Sequence, residues 1–235
     1  MATVRRRRRQ GGQELLEFAL FAWFFVPLFI WMFVAGINLV RSNQVNFICR
    51  DLASLYIHGA DFSTYFNQSL AKRLANGLNL DVGSSFSGSN ASNTSNSNGS
   101  GLVTLVEVMY VGATTDSNCT AVGASNCVNH DSFVYLQRIQ FGNGALATSA
   151  PSIAGTPSSG IQTTAQGQVL SYLTDSNAKL PAQAQSDMSS QWQTNANGRS
   201  PLVDGQVIYI AETYFQTTQF QFGTGANGVF ARFSF

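Results

Sequence analysis

Two glutamates, Glu14 and Glu17, lie where a run of arginines gives way to a long apolar segment. The stretch from Arg5 to Phe21 reads RRRRRQGGQELLEFALF. A carboxylate at the edge of a membrane segment is costly unless it finds a partner, because hydrocarbon does not solvate charge. An acid in the first turn of a helix also interacts favourably with the helix dipole. Each glutamate is therefore either an ordinary helix-start acid or a charge with a specific partner.

The apolar segment that follows predicts a membrane anchor. From Phe18 to Val40 no residue is charged, and about 20 such residues as a helix cross the hydrocarbon core of a bilayer. Since Arg5–Arg9 precede the segment, the positive-inside bias places the amino terminus in the cytoplasm and the chain from Arg41 onward outside. A signal peptide removed after its apolar run is the alternative, but that run is usually about 7–15 residues long. We therefore expect a single-pass anchor in the lipid bilayer.

The composition points away from nucleic acid. Only 11% of the residues are charged, against about 25% in a typical soluble domain. Five of the 13 basic side chains belong to Arg5–Arg9, and the rest of the chain carries eight basic against 12 acidic side chains. Because that remainder is mildly acidic, we expect no nucleic-acid partner. The polar but nearly uncharged surface suits an exported protein.

The helical pattern continues beyond the membrane segment. Apolar residues recur at spacings of three, four and seven, which indicates one stripe of an amphipathic helix. Gly59 is a stop signal, so a helix from Gln13 to about His58 is predicted. Pro27 lies inside it and predicts a bend or a loosened turn, because proline lacks an amide hydrogen. This stripe begins at the end of the anchor and continues beyond it, and it consists of Ile37, Val40, Val45, Ile48, Leu52, Leu55 and Tyr56.

Organisation along the chain predicts an α+β fold, in which helices come first and a small, mostly antiparallel sheet follows. A leader of residues 1–12 precedes a transmembrane helix over residues 13–40, and residues 41–83 form an amphipathic helical region. A second helix in that region begins at a cap by Asp61 or Ser63. Its apolar residues recur at four-residue steps, at Phe66, Leu70, Leu74 and Leu78.

The rest of the chain divides into a loop and a β-rich head. Residues 84–101 are rich in Ser, Asn and Gly and predict a surface loop, and residues 102–235 form the head. Runs of β-branched and aromatic residues predict strands at 102–111, 132–141, 205–216 and 228–235. Residues 167–173 and 182–192 are interpreted as two short helices.

Residues that could perform chemistry are few. Cys119 and Cys127 enclose a polar loop and form a possible disulfide outside the cytoplasm, while Cys49 is expected to be a buried free thiol. His130 and Asp131 are neighbours, but no nucleophile motif accompanies them. No metal or cofactor motif is present, so we expect no metal, no cofactor and no enzymatic activity.

The opening stretch carries the sharpest pattern. Gly12 is followed by four residues, then by Glu17, Phe18 and an apolar helix, behind a short basic leader. This arrangement resembles the processing site of type IVb prepilins, and specifically that of the TadE-like minor pseudopilins of the Tad (Flp) pilus system. The resemblance covers about residues 5–60 and includes the proline at Pro27. Three residues of the following polar helix fit the family pattern loosely, namely Asn43, Arg50 and Ala53.

The resemblance implies a role for each of these residues. A membrane aspartyl prepilin peptidase would cut between Gly12 and Gln13, and Glu17 would become the fifth residue of the mature chain. Glu17 would then pair with the free α-amino group of a neighbouring pilin or pseudopilin subunit, with Phe18 beside it, while Glu14 stays an ordinary first-turn acid. The partners implied are the peptidase, the other subunits and the inner-membrane pilus assembly machinery. The head would lie in the periplasm or outside the cell, and the subunit would either enter the pilus or stay in the machine.

Two other functions stay open from the residues alone. The chain could be an unprocessed, membrane-anchored exported protein with a binding or adhesive head. An anchored hydrolase is the third hypothesis, and it requires a cleft that joins His130 to a nucleophile.

Overall fold

The computed structural model describes residues 4–82, 92–93, 99–150, 152–192, 202–216 and 228–235, and for residues 4–13 and 92–93 it describes the backbone alone. The described chain forms two compact units, Met1–Asn43 and Gln44–Phe235. Both contain part of one long helix, α1, which spans Val4–Ile57. The second unit adds the sheet, so the α+β expectation is confirmed.

Helix α1 begins earlier than predicted and ends almost where predicted. It includes Arg5–Arg9, since arginine has a good helix propensity, and it continues through Pro27. The chain leaves the helix after Ile57, and Gly59 adopts a positive φ of 84° that a side chain would disfavour. The glycine signal therefore marked the end of the helix. The bend at Pro27 stays a prediction.

The remaining helices are short. Helix α2 spans Tyr65–Leu74, α3 spans Ser117–Val122 and α4 spans Ala182–Trp192. Two 3-10 turns lie at Gly144–Thr148 and Ser176–Ala178.

All four predicted strands form, and a fifth, very short strand joins them. The strands are β1 (Ser92–Asn93), β2 (Gly101–Val111), β3 (Ser132–Gly142), β4 (Val207–Gln216) and β5 (Gly228–Ser234). The sheet order is β1-β3-β2-β4-β5. The four long strands pair antiparallel, while β1 pairs parallel with β3. Long-range pairing thus gives two residues of the serine- and asparagine-rich loop a strand conformation that their composition did not predict.

One face of the sheet packs against the distal part of α1. Four residues of the predicted stripe are buried there, at helical spacing: Val45, Ile48, Leu52 and Tyr56. They share a core with Leu105 of β2 and with residues of the other three long strands. At about 25 cal/mol per Å² of apolar surface removed from water, this stripe is a main source of stability for the second unit.

The other face is covered by α4 and by the chain between β3 and α4. Met188 of α4 is fully buried against Val106, Val108 and Ile210 of the sheet. The predicted helix at 182–192 is therefore confirmed. The one predicted at 167–173 is wrong, because Gln168 and Val169 form isolated bridges with Gln137 and Thr163 instead.

Helix α2 and the residues after it bury only part of the predicted stripe. Its cap residue is Thr64 rather than Asp61 or Ser63, and the helix ends at Leu74. Phe66 is 78% exposed, whereas Ala71 and Ala75 are buried in the core with α1. Leu74 packs against the same core and Leu78 is buried in it, so Phe66 and Leu70 are the residues of the predicted stripe that stay exposed. Gln68 is fully buried, and its side-chain amide donates to the carbonyl of Phe62 at 2.9 Å.

Candidate functional site

The proposed processing site lies in the first turns of α1. Gly12 and Gln13 have helical backbone, and their side-chain surroundings lie outside the described residues, as do those of Arg5–Arg9. Glu17 and Phe18 are described, and both are exposed, Phe18 by 71%. The structure therefore places Glu17 five helical positions after Gly12, at an exposed position of α1.

The apolar part of α1 exposes nearly all of its large side chains within the first unit. Phe18, Trp23, Phe29 and Trp31 are each more than 60% exposed. Phe21 and Phe25, one turn apart, stack with ring centroids 3.8 Å apart. By length and composition, the helix over Glu14–Ile57 can cross a membrane. A helix this apolar on every side is suited to lipid or to other apolar helices rather than to water.

A partly buried ion pair lies in the second unit, at residues that no sequence motif indicated. Glu212 of β4 is 3% exposed, and Arg232 of the paired strand β5 donates from Nε to its Oε1 at 2.6 Å. The same oxygen accepts the amide of Ile153 at 2.9 Å. A lone glutamate within the apolar run VIYIAETYF was the available sequence signal. A buried carboxylate of this kind is retained only when charge and hydrogen bonds compensate its desolvation.

Arg138 lies near this pair and is largely buried. Burial lowers the pKa of its guanidinium, while the neighbouring Tyr135 and Glu212 act in the opposite direction. Burial also raises the pKa of Tyr135, whose hydroxyl donates to the carbonyl of Ala154. Glu212 and Tyr135 thus join the sheet to the segment that covers it, through Ile153 and Ala154.

The three cysteines have different surroundings. Cys119 and Cys127 form a disulfide with Cα atoms 5.1 Å apart, and both pack against Met109 and Val111 of β2. Cys49 is a buried free thiol on α1, and its Sγ lies 3.3 Å from the carbonyl oxygen of Ala211. The thiol thus packs between helix and sheet.

The histidine pair is a surface contact. His130 Nδ1 lies 3.1 Å from Asp131 Oδ2, with the two side chains 47% and 62% exposed. The nearby hydroxyl of Ser132 donates to the carbonyl of Asn129 at 2.6 Å. Within the described ranges, His, Cys, Asp and Glu side chains do not form a group of three or more that could hold a metal ion.

Comparisons with models of protein families, with curated proteins and with solved structures find no match to this chain.

Proposed function

We propose that the chain is a TadE-like minor pseudopilin, a structural or assembly subunit of a Tad-type (Flp, type IVb) pilus. The register of Gly12, Glu17 and Phe18 behind five arginines carries the proposal. The long helix with an exposed apolar surface, followed by an antiparallel sheet, is the architecture such a subunit needs. Its proposed location is a single pass of the inner membrane, with the amino terminus in the cytoplasm and the head in the periplasm or outside the cell.

Processing is proposed between Gly12 and Gln13. Gly11 and Gly12 are adjacent within α1, and glycine in a helix interior is less stable than alanine by about 0.5–1 kcal/mol each. The helix is therefore weakest at the proposed cut, where a peptidase must bind an extended backbone. A small residue before the scissile bond also fits a narrow active site.

The decisive experiment is amino-terminal sequencing of the protein purified from membranes, in cells with and without a prepilin peptidase. The mature chain is expected to begin at Gln13 in the first case and at the original amino terminus in the second. Gly12→Asp is expected to block the cut, whereas Gly11→Asp, the same substitution one residue upstream, leaves it in place. Unchanged cleavage in Gly12→Asp, or without the peptidase, excludes the proposal.

The mechanism proposed for the subunit is assembly rather than catalysis. Removal of the leader creates a new α-amino group at Gln13 and leaves Glu17 one helical turn further along. A carboxylate at the edge of the hydrocarbon is stabilised when an amine of a neighbouring subunit reaches it. The exposed aromatic residues of α1 then pack between subunit helices.

An unprocessed, anchored protein with a binding head is the second candidate, since the second unit contains a pocket lined by polar and aromatic side chains. If the protein in the membrane keeps its original amino terminus in cells that contain the peptidase, the result favours this second function over the pseudopilin.

A further inference from the structure

A pocket of about 330 Å³ opens in the second unit beside the end of α1. A row of side chains from three neighbouring strands forms its floor, because Gln137 of β3 and Tyr209 of β4 both pair with Glu107 of β2. Tyr56 of α1 closes one side. Its hydroxyl donates to Gln137 Oε1 at 2.9 Å, and its ring meets that of Tyr209 edge-on at 5.7 Å between centroids.

The pocket exists because two hydrophobic clusters on the same face of the sheet do not meet. Alternate residues of β2 share a face. Leu105 belongs to the core under α1, and Met109 belongs to the cluster around the disulfide, so Glu107 lies between the two. Helix α1 ends at Ile57 and the chain turns at Gly59, which leaves the sheet uncovered at that point.

The ionisable side chains that line the pocket as carboxylates give it a negative charge. Glu107 and Asp61 both line it, and among the described residues of its wall none is Lys, Arg or His. Glu107 is partly buried, and this burial raises the pKa of its carboxyl group, although a hydrogen bond from Tyr209 acts in the opposite direction. A partly desolvated carboxylate gains from a cation beside it. The faces of tyrosine rings likewise attract cations.

We propose that this pocket binds an ammonium group, with Glu107 as its charge partner and Tyr56, Tyr209 and the glutamine side chains around it. The volume lies at the lower end of ligand pockets, about 300–1,000 Å³, and suits a small head group. Anions are repelled by the two carboxylates. The inference does not depend on the pilus assignment.

An NMR titration tests the proposal on the full chain in micelles of a polyoxyethylene detergent, which carries neither an ammonium group nor a sugar, with ¹³C-labelled tyrosine rings. The probes are n-butylammonium and Nα-acetyl-lysine methylamide, and 1-butanol is the neutral counterpart. Both amines are expected to shift the ring signals of Tyr56 and Tyr209 saturably, with no such shift from butanol. Tighter binding of the lysine derivative identifies a protein side chain as the source of the ammonium, and equal binding identifies free amines.

Two carboxylate variants distinguish specific binding at Glu107 from a general attraction of the amines to negative charge on the protein. Glu107→Gln keeps the shape and removes the charge, so the affinity for both amines is expected to fall about tenfold. Asp131→Asn makes the same charge change on an exposed side chain six residues before Gln137 on the same stretch of chain, and it leaves the affinity unchanged. Unchanged signals from tyrosines that do not line the pocket, such as Tyr110, Tyr135 and Tyr214, show that each free variant is folded.

Three results overturn the proposal. The first is an absence of saturable shifts with either amine. The second is equal affinity in the parent chain and in Glu107→Gln. The third is binding of methyl α-glucoside without binding of the amines, which assigns the pocket to neutral carbohydrate.

Discussion

At the scale of single residues, Asp204 joins three separate segments of the second unit. Its Oδ1 accepts the amide of Gly112 at 2.8 Å, and its Oδ2 accepts the Ser117 hydroxyl and the Asn118 amide at 3.0 Å each. Burial alone would raise the pKa of Asp204, but the hydrogen bonds from Gly112, Asn118 and Ser117 outweigh it and lower the pKa below the ordinary value of 3.8. The folded state therefore favours the ionised carboxylate.

Asp204→Asn is expected to destabilise the fold by on the order of 1 kcal/mol at neutral pH, because the amide nitrogen cannot accept a hydrogen bond. The folded pKa is depressed, so the stabilisation is present above pH 3.8 and is lost as the pH falls through the lower, folded value. Thermal unfolding in detergent, followed by circular dichroism, measures both effects. Asp51→Asn, at an exposed position of α1, is the control and stays within about 0.5 kcal/mol of the parent. Equal unfolding curves for Asp204→Asn and the parent would contradict this role.

At the scale of elements, the distal part of α1 holds the sheet through its buried stripe. Leu52 is fully buried among residues of β2, β3 and β4, so Leu52→Ala leaves a cavity there. We expect a loss of about 2–5 kcal/mol in the free energy of unfolding. Phe47→Ala removes a larger side chain from the same helix, but Phe47 is 58% exposed and the cost stays below about 1 kcal/mol. Urea unfolding of the full chain, followed by the fluorescence of the tyrosines in the second unit, measures both free energies. Equal losses in Leu52→Ala and Phe47→Ala would show that the buried stripe of α1 does not hold the sheet.

At the scale of the whole molecule, the two opening glutamates are predicted to behave differently. Glu17→Gln is expected to be processed normally but to lose co-purification with other pilus subunits, because the neutral amide cannot pair with their amino groups. Glu14→Gln changes an equally exposed carboxylate one turn earlier and keeps both properties. Affinity purification of tagged protein from pilus-forming cells, read by mass spectrometry, compares them. Equal behaviour of the two variants would remove Glu17 from the assembly mechanism.

The local elements were largely predictable because periodicity is a property of neighbouring residues. Runs of β-branched and aromatic residues predicted the four long strands, and helical spacing predicted the part of α1 that is buried under the sheet. The same reasoning was only partly right at α2, where Leu74 and Leu78 pack in the core but Phe66 and Leu70 are exposed and Ala71 is buried. Residue spacing shows which side chains share a face of a helix. Which of those faces is buried depends on the space that the neighbouring helix and sheet leave for it.

The sequence by itself determined the membrane-length helix, the strands and the register of Gly12 with Glu17, since each depends on residues close together in the chain. The tertiary structure alone decided the contacts between distant segments. Tyr56 meets Gln137 across 81 residues, and Asp204 meets Gly112 across 92. Such contacts follow from strand pairing and from where α1 ends, and both are set by burial of the whole core rather than by any local pattern. The pocket around Glu107 arises in the same way, at the gap between two clusters that pack on one face of the sheet.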